Sequence, residues 1–343
     1  MKGLVKAEGA VGAVYREDLP IPELEDDRVL VKVHASAICG TDVHIYNWTA
    51  YAQERLKLPM VFGHEFAGEI VAVGDRVNGL HVGQRVAGET HIPCNHCVQC
   101  RTGNQHICEN MKIIGVHEPG AFAEYISVDP NCIWELDDSL DYETGALLEP
   151  MGVGVHGVLS GEIGGKSVVI FGCGPIGLCG VGTAKINGAS KVIAIDVFDQ
   201  KLQVAKTMGA DILINSKSED AAARILAETE GRGADVVVDF TGNQIAIQTG
   251  FSVLKKGGRF TFVGLSNGDL SLDVNNAIIY KEAQVNGVTG RLMYQTWYEC
   301  ERLLKSGKFP IQSVIGGRFE LKDYEKAFAL LESGAPGKML LIP

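Results

Sequence analysis

The chain has 343 residues, 46% of them hydrophobic and 21% charged, and a formal net charge of −11. That length accommodates two domains with separate cores, and an acidic balance without a Lys/Arg stripe argues against nucleic acid as a partner. The longest apolar runs, such as 168–171 and 192–195, are strand-length and too short to span a bilayer, so no membrane partner is expected either.

The first residues, Met1-Lys2-Gly3-Leu4-Val5, carry no signal-peptide pattern. Stretches 28–35, 69–73 and 123–128 alternate or run apolar at strand length between Gly, Pro and Asp turns, which predicts a β-rich, barrel-like domain over residues 1–152. Two short motifs fall inside it. Cys39-Gly40-Thr41-Asp42-Val43-His44 places a thiol, a hydroxyl and an imidazole within a turn or two, and Gly63-His64-Glu65 sets an imidazole beside a carboxylate. Cys39, His64 and Glu65 together make a three-ligand set whose two negative charges neutralise Zn²⁺ and leave its fourth position open. Such a site lowers the pKa of a bound hydroxyl, as alcohol oxidation requires. Taken singly, Cys39 also reads as a small buried hydrophobe, His64 as a core histidine and Glu65 as a surface charge.

Next comes Cys94, Cys97, Cys100 and Cys108, four of the nine cysteines in a Cys-x2-Cys-x2-Cys-x7-Cys run. Four thiolates on one loop, spanning about residues 89–112, close a tetrahedral zinc and leave no place for substrate, so this zinc is structural. A ferredoxin-type cluster is the rival, but its spacing puts the fourth Cys three residues on and follows it with Pro. Here the gap is seven and Glu109 follows. With thiols committed to metal rather than disulfides, a cytoplasmic location is expected. All nine histidines lie between His34 and His156, which assigns metal and proton chemistry to the first domain.

Beyond residue 152 the pattern changes to alternating strands and helices. The apolar strand 167–171 runs into Gly172-Cys173-Gly174-Pro175-Ile176-Gly177, then an apolar helix (178–187) and a second strand ending in Asp196. In Gly-x-Gly-x-x-Gly, the first glycine makes the tight turn, the second admits a pyrophosphate and the third, Gly177, packs helix on strand. Asp196 follows Gly177 by nineteen residues, where its carboxylate accepts ribose hydroxyls. A 2′-phosphate beside that carboxylate would be repelled, and no Arg follows at Val197 or Phe198, so the expected cofactor is NAD rather than NADP. Further strands at 211–215, 235–240, 259–265 and 284–289 complete a doubly wound parallel α/β (Rossmann) sheet of six strands over residues 153–292. The remainder, 293–343, has helical spacing at 324–332 and a strand at 338–342, and is expected to return to the first domain.

The Cys39–His44 and Gly63–Glu65 motifs, the four-cysteine run and the 172–177 glycines together resemble the zinc-dependent medium-chain dehydrogenases along essentially the whole chain. His44-Ile45-Tyr46-Asn47-Trp48, Glu89-Thr90-His91-Ile92, Thr289-Gly290-Arg291 and Thr296-Trp297-Tyr298 are similar to the threonine-oxidising branch of that family. The resemblance implies a GroES-like catalytic domain, one catalytic and one structural zinc, and a homotetramer. It also implies NAD-linked oxidation of the L-threonine secondary hydroxyl to 2-amino-3-oxobutanoate.

Carried over by position, Cys39, His64 and Glu65 match the catalytic zinc ligands. Thr41 and His44 match a proton relay, and Glu149 matches an acidic residue that assists the relay or visits the metal. Charge counting suits the helper role for Glu149, because a second carboxylate on the zinc would make the site net negative. Ile176, Asp196, Lys201, Val263, Gly264, Leu265, Val288 and Thr289 fall at the family's cofactor-contact positions, with Lys201 where many relatives carry Arg. Arg291 is a candidate partner for a substrate carboxylate, with a cofactor contact or structural pairing as alternatives. One departure bears on substrate. After Pro150 the threonine branch usually reads Gly-Asn, whereas this chain reads Met151-Gly152-Val153, closer to polyol and 2,3-butanediol dehydrogenases. A diol or polyol is therefore the alternative substrate, and a non-catalytic zinc and nucleotide-binding protein the remote one.

Overall fold

The structure is a computed structural model describing residues 1–266 and 268–343. It divides into two compact units. The first comprises residues 1–150, 315–333 and 338–343, the second 151–314 and 334–337.

In the first unit a sheet runs in the order Ile133–Glu135, Arg85–Gly88, Glu65–Val73, Val29–Ala37, Lys338–Ile342, Ile315–Glu320, and Tyr125–Val128 also pairs with Val29–Ala37. Alternation along Val29–Ala37 turns Val29, Val31 and Val33 into a core with Phe66, Ile70, Val86, Ile126 and Val128. The register of this sheet builds the site. Ala37 lies opposite Glu65 on one side and Leu340 on the other. The residues just beyond these pairs, Cys39, His64 and Lys338, are therefore delivered to one end of three adjacent strands.

The second unit holds six parallel strands in the order Ile212–Asn215, Lys191–Asp196, Ser167–Phe171, Ala234–Asp239, Leu254–Phe262, Gln284–Gly287. Chain order reverses between Ser167–Phe171 and Ala234–Asp239, and a ligand crevice opens at such a switch point, at the carboxyl ends of the strands. The core is apolar on both faces, as a parallel sheet demands, with Phe251 stacked on Phe260 at 4.0 Å.

Two boundaries differ from expectation. The chain does not leave the second unit at residue 293 but at Ile315, while the first unit ends at Pro150 rather than 152. Helix Gln295–Lys305 buries Trp297, Cys300, Leu303 and Leu304 on one face. Beyond it Phe309 fills space left by Gly182, where a Cβ would come within 2.9 Å of the ring. These apolar side chains tie 295–314 to the α/β unit. Among the described residues no helix is long and apolar enough to cross a membrane.

Candidate active site

Cys39 ends the extended chain after Val29–Ala37 and caps helix Gly40–Tyr46, where Asp42 Oδ2 accepts from the Cys39 N–H at 2.8 Å. His64 and Glu65 open the neighbouring strand. The ligand atoms of Cys39, His64 and Glu65 lie within 4.8 Å of one another. His64 is buried with its Nδ1 3.6 Å from Asp42 Oδ1, too far for a hydrogen bond, and both buried atoms lack a partner. Burial works against the charged imidazole, yet the charges of Asp42 and Cys39 outweigh it and raise the His64 pKa well above the ordinary range. The field that raises it is the field that attracts a dication. A soft thiolate, an imidazole and a carboxylate converging in such a field fit zinc.

Glu65 is wholly buried and bound by Lys338, whose Nζ lies 2.6 Å from Glu65 Oε2, close to Oε1, and 3.1 Å from the Ile38 carbonyl. Burial raises the Glu65 carboxyl to about 7 although Lys338 pulls the other way, and both of its oxygens accept from that one ammonium. Glu149, buried on helix Tyr142–Leu159, is outside the three-ligand group, but its charge reaches both Glu65 and Lys338.

Thr41 and His44 sit three residues apart on helix Gly40–Tyr46 and so share a face. Thr41 is half-buried and His44 exposed, with His44 Nδ1 3.2 Å from Thr49 Oγ1.

In the cysteine lobe, Cys97 Sγ is 3.5 Å from Cys100 Sγ and 3.9 Å from Cys108 Sγ. A tetrahedron with Zn–S bonds of about 2.3 Å has edges of about 3.8 Å, close to these two separations, and all four sulfurs lie within 4.8 Å of one another. Backbone N–H groups of His96 and Cys97 bring the Cys94 thiol down to about 6, and those of Cys100 and Glu109 lower Cys97. Amide groups aimed at sulfur are the outer shell a thiolate site needs.

In the second unit, Gly172 has φ +91°, and a Cβ on Gly177 would lie 1.8 Å from the Gly172 carbonyl oxygen. Gly174 faces open space and caps helix Pro175–Ile186. Such a cradle suits a pyrophosphate at a helix N-terminus. Beside it is a cavity of about 550 Å³ lined by Gly172, Asp196, Ser216, Thr241 and Asn243 among others. Asp196 is fixed by backbone donors: Oδ2 accepts from Cys173 N at 2.7 Å, and Oδ1 from Val197 N at 2.7 Å and Phe198 N at 3.0 Å. Ile176 is half-buried on the helix. Val263, Gly264 and Leu265 follow one strand end, and Val288 and Thr289 the next, at the same edge of the sheet as Gly172. Lys201 does not line this cavity; its ammonium stands 4.8 Å over the Phe198 ring.

The alcohol dehydrogenase GroES-like domain family matches residues 25–138, and the zinc-binding dehydrogenase family matches residues 175–306. The L-threonine 3-dehydrogenase of Bacillus subtilis is 44% identical over 343 residues, covering 100% of this chain and 99% of the relative. The chain belongs to the zinc-dependent medium-chain dehydrogenases. Among solved members of this family, galactitol-1-phosphate dehydrogenase from Escherichia coli is similar with a TM-score of 0.91 at 31% identity, with 100% of both chains covered. The 2R,3R-butanediol dehydrogenase of Bacillus subtilis gives 0.90 at 29% identity, covering 100% of this chain and 99% of that one.

A medium-chain dehydrogenase of this kind works with zinc and a nicotinamide cofactor, and the residues above fit both. Two residues of the site were missed from sequence. Asp42 is signalled by its Cys-x-x-Asp capping position. Lys338 carries only a faint signal, one charge at the head of the apolar strand Lys338–Ile342, and its partner is 273 residues away. Lys338 also changes the charge count, because it offsets one of the negative charges that Cys39, Asp42, Glu65 and Glu149 bring together.

Proposed function

We propose that the protein oxidises L-threonine at its secondary hydroxyl to 2-amino-3-oxobutanoate, with NAD as hydride acceptor and two zinc ions per chain. The observation that carries this is the convergence of Cys39, His64 and Glu65 in a chain with full-length similarity to a threonine dehydrogenase. Zinc, when bound, supplies a Lewis acid for the substrate hydroxyl, and the nicotinamide accepts two electrons and a proton as hydride. Cys39, His64 and Glu65 would hold the catalytic ion, and Cys94, Cys97, Cys100 and Cys108 the structural one. The hydroxyl proton remains to be removed. Thr41 takes it at Oγ1 while releasing its own towards His44, and the exposed imidazole of His44, steadied by Thr49, passes it to solvent.

Gly174 admits the pyrophosphate, Gly172 makes the turn before it and Gly177 lets the helix pack on that turn. Asp196 accepts the adenosine ribose hydroxyls, and Ile176, Val263, Gly264, Leu265, Val288 and Thr289 line the path of the cofactor. The nine cysteines, all without disulfides, agree with a reducing cytoplasm. Assembly into a homotetramer is part of the same reading. It is supported by the outer strand Gln284–Gly287, which ends its sheet beside exposed Ile279, Tyr280 and Val285.

The second reading, a vicinal-diol or polyol dehydrogenase, is favoured by Val153 and by the similarity to 2R,3R-butanediol dehydrogenase. One assay separates them: NAD reduction with threonine, serine, 2,3-butanediol and sorbitol. The highest kcat/KM is expected for threonine, and a diol turned over faster replaces the first reading with the second.

A further inference from the structure

Lys338 is 3% exposed, heads the last strand of the chain, and turns its ammonium onto both oxygens of a candidate zinc ligand. Its third bond, to the Ile38 carbonyl, fixes it one residue before Cys39. Cys39 and Glu149 also act on it electrostatically. Around one buried point there are thus four acidic side chains, Cys39, Asp42, Glu65 and Glu149, with the Lys338 ammonium set among them. A fully buried ammonium is costly unless paired, and strand packing alone does not call for a lysine where Met339, Leu340 and Leu341 follow.

We infer that Lys338 is the internal counter-cation of the zinc centre, a positioning residue that competes with the metal for Glu65. With Lys338 present, one negative charge around the metal position is offset and Glu65 is held partly away from the ion, which preserves the strength of Zn²⁺ as a Lewis acid. Without it the metal meets one more uncompensated negative charge, Glu65 turns fully to the ion, and the site becomes tighter for zinc and weaker as an electrophile. The same pairing steadies the metal-free chain, because Glu65 does not then wait unpaired in a buried strand.

The inference rests on Cys39, His64 and Glu65 forming a zinc centre, and its test keeps the two apart. Zinc affinity is measured by chelator competition on the full chain with the cysteine lobe loaded, and the ligand field by the visible spectrum after Co²⁺ replaces zinc at the open site. Lys338→Met should raise zinc affinity about tenfold or more, shift the Co²⁺ spectrum towards higher coordination and lower kcat. Lys338→Arg should restore all three, since it keeps the charge. Glu65→Gln alone should weaken zinc binding, and adding Lys338→Gln should recover part of the loss. That pair of variants supplies the answer where Lys338→Met does not fold. Unchanged or weaker zinc binding in Lys338→Met, or a double variant no better than Glu65→Gln, overturns the inference while the zinc centre stands. Metal uptake in the unmodified chain that is insensitive to Cys39→Ser overturns the centre and the inference together.

Discussion

Gly174 and Gly177 are three residues apart in one turn, yet their roles separate, and a pair of alanine substitutions tests this. A Cβ on Gly177 would sit 1.8 Å from the Gly172 carbonyl oxygen, whereas a carbon and such an oxygen rest at about 3.3 Å or more. The helix must move by about 1.5 Å, against strand Ser167–Phe171 and Phe240, which packs on the same face. Overpacking of this kind costs about 1–3 kcal/mol, and the atom met is a backbone oxygen with no rotamer to yield, so the upper half of that range applies. For a unit of this size the melting temperature should fall by about 5–10 °C. At Gly174 no atom lies within 4 Å and the backbone, φ −67° and ψ 175°, is one that alanine adopts before proline. The weaker helix cap and the stiffer unfolded chain offset one another to within about 1 kcal/mol. Its methyl group instead occupies the ground a pyrophosphate needs, so Gly174→Ala should lose at least about tenfold in NADH affinity, or 1.4 kcal/mol. Thermal unfolding and NADH fluorescence titration on both variants decide the matter. A Gly174→Ala protein that binds NADH like the parent refutes the pyrophosphate placement, and a Gly177→Ala protein with the parent's melting temperature refutes the packing argument.

Elemental analysis should give two zinc ions per chain, falling to one in Cys39→Ser with stability kept and to one in Cys97→Ser with a lower melting temperature; one ion in the unmodified chain contradicts the two-site reading. Asp196→Ala should narrow the preference for NAD over NADP by at least about tenfold in kcat/KM, since Lys201 and Lys217, each 4.8 Å over Phe198, remain to meet a 2′-phosphate; equal use of both cofactors by the parent runs against the assignment. His44→Ala and Thr41→Ala should each lower kcat with NADH affinity retained, and the double variant should add little because links of one relay fail together; additive losses would mean two separate roles. Asp235 is bonded to Ser167 N at 2.8 Å, to Ser167 Oγ at 2.6 Å and to Lys255. Burial pushes its carboxyl up, but Lys255 and Ser167 outweigh that and hold it below the ordinary range. A depressed carboxyl stabilises the fold above its unfolded pKa of about 3.9 and loses that contribution as pH falls through the lower folded value. Asp235→Asn should therefore destabilise at pH 7 and matter less with falling pH, and a cost independent of pH assigns the site to packing alone.

How much was legible in the sequence follows from how local each signal is. The six strands of the α/β unit, the glycine turn and the four-cysteine loop are each written within about thirty residues, and the structure places their elements within a few residues of expectation. Helix Tyr324–Glu332 and strand Lys338–Ile342 match to the residue, because apolar spacing bounds both. The 293–314 segment was misplaced for the opposite reason. An amphipathic helix such as Gln295–Lys305 declares that it has a partner but not which unit supplies it, and that was settled by Gly182 opening space for Phe309. Lys338 lies furthest from legibility. Its meaning depends on a strand register, Leu340 opposite Ala37 and Ala37 opposite Glu65, that no local pattern encodes.

The branch motifs carry a lesson about substrate. Arg291 was a candidate for a substrate carboxylate, but it is 1% exposed and its guanidinium stands 5.9 Å from the Trp297 ring. Its side chain crosses Gly152, where a Cβ would come within 2.8 Å of Cδ. One residue before it, the Gly290 carbonyl accepts from His156 Nδ1 at 3.1 Å. Thr289-Gly290-Arg291 and Trp297 are therefore bolted to the helix that carries Gly152, Val153 and His156. Gly290 and Arg291 support that helix in this chain. Val153 sits on this same helix, at the position where the threonine branch usually has Asn, so an apolar side chain stands there in place of a polar one. A site built to hydrogen-bond its substrate discriminates far more strongly than one that relies on apolar fit. If Asn at this position contacts threonine in the branch, Val153→Asn should raise kcat/KM for threonine relative to 2,3-butanediol, and a ratio that does not move places substrate choice elsewhere in the chain.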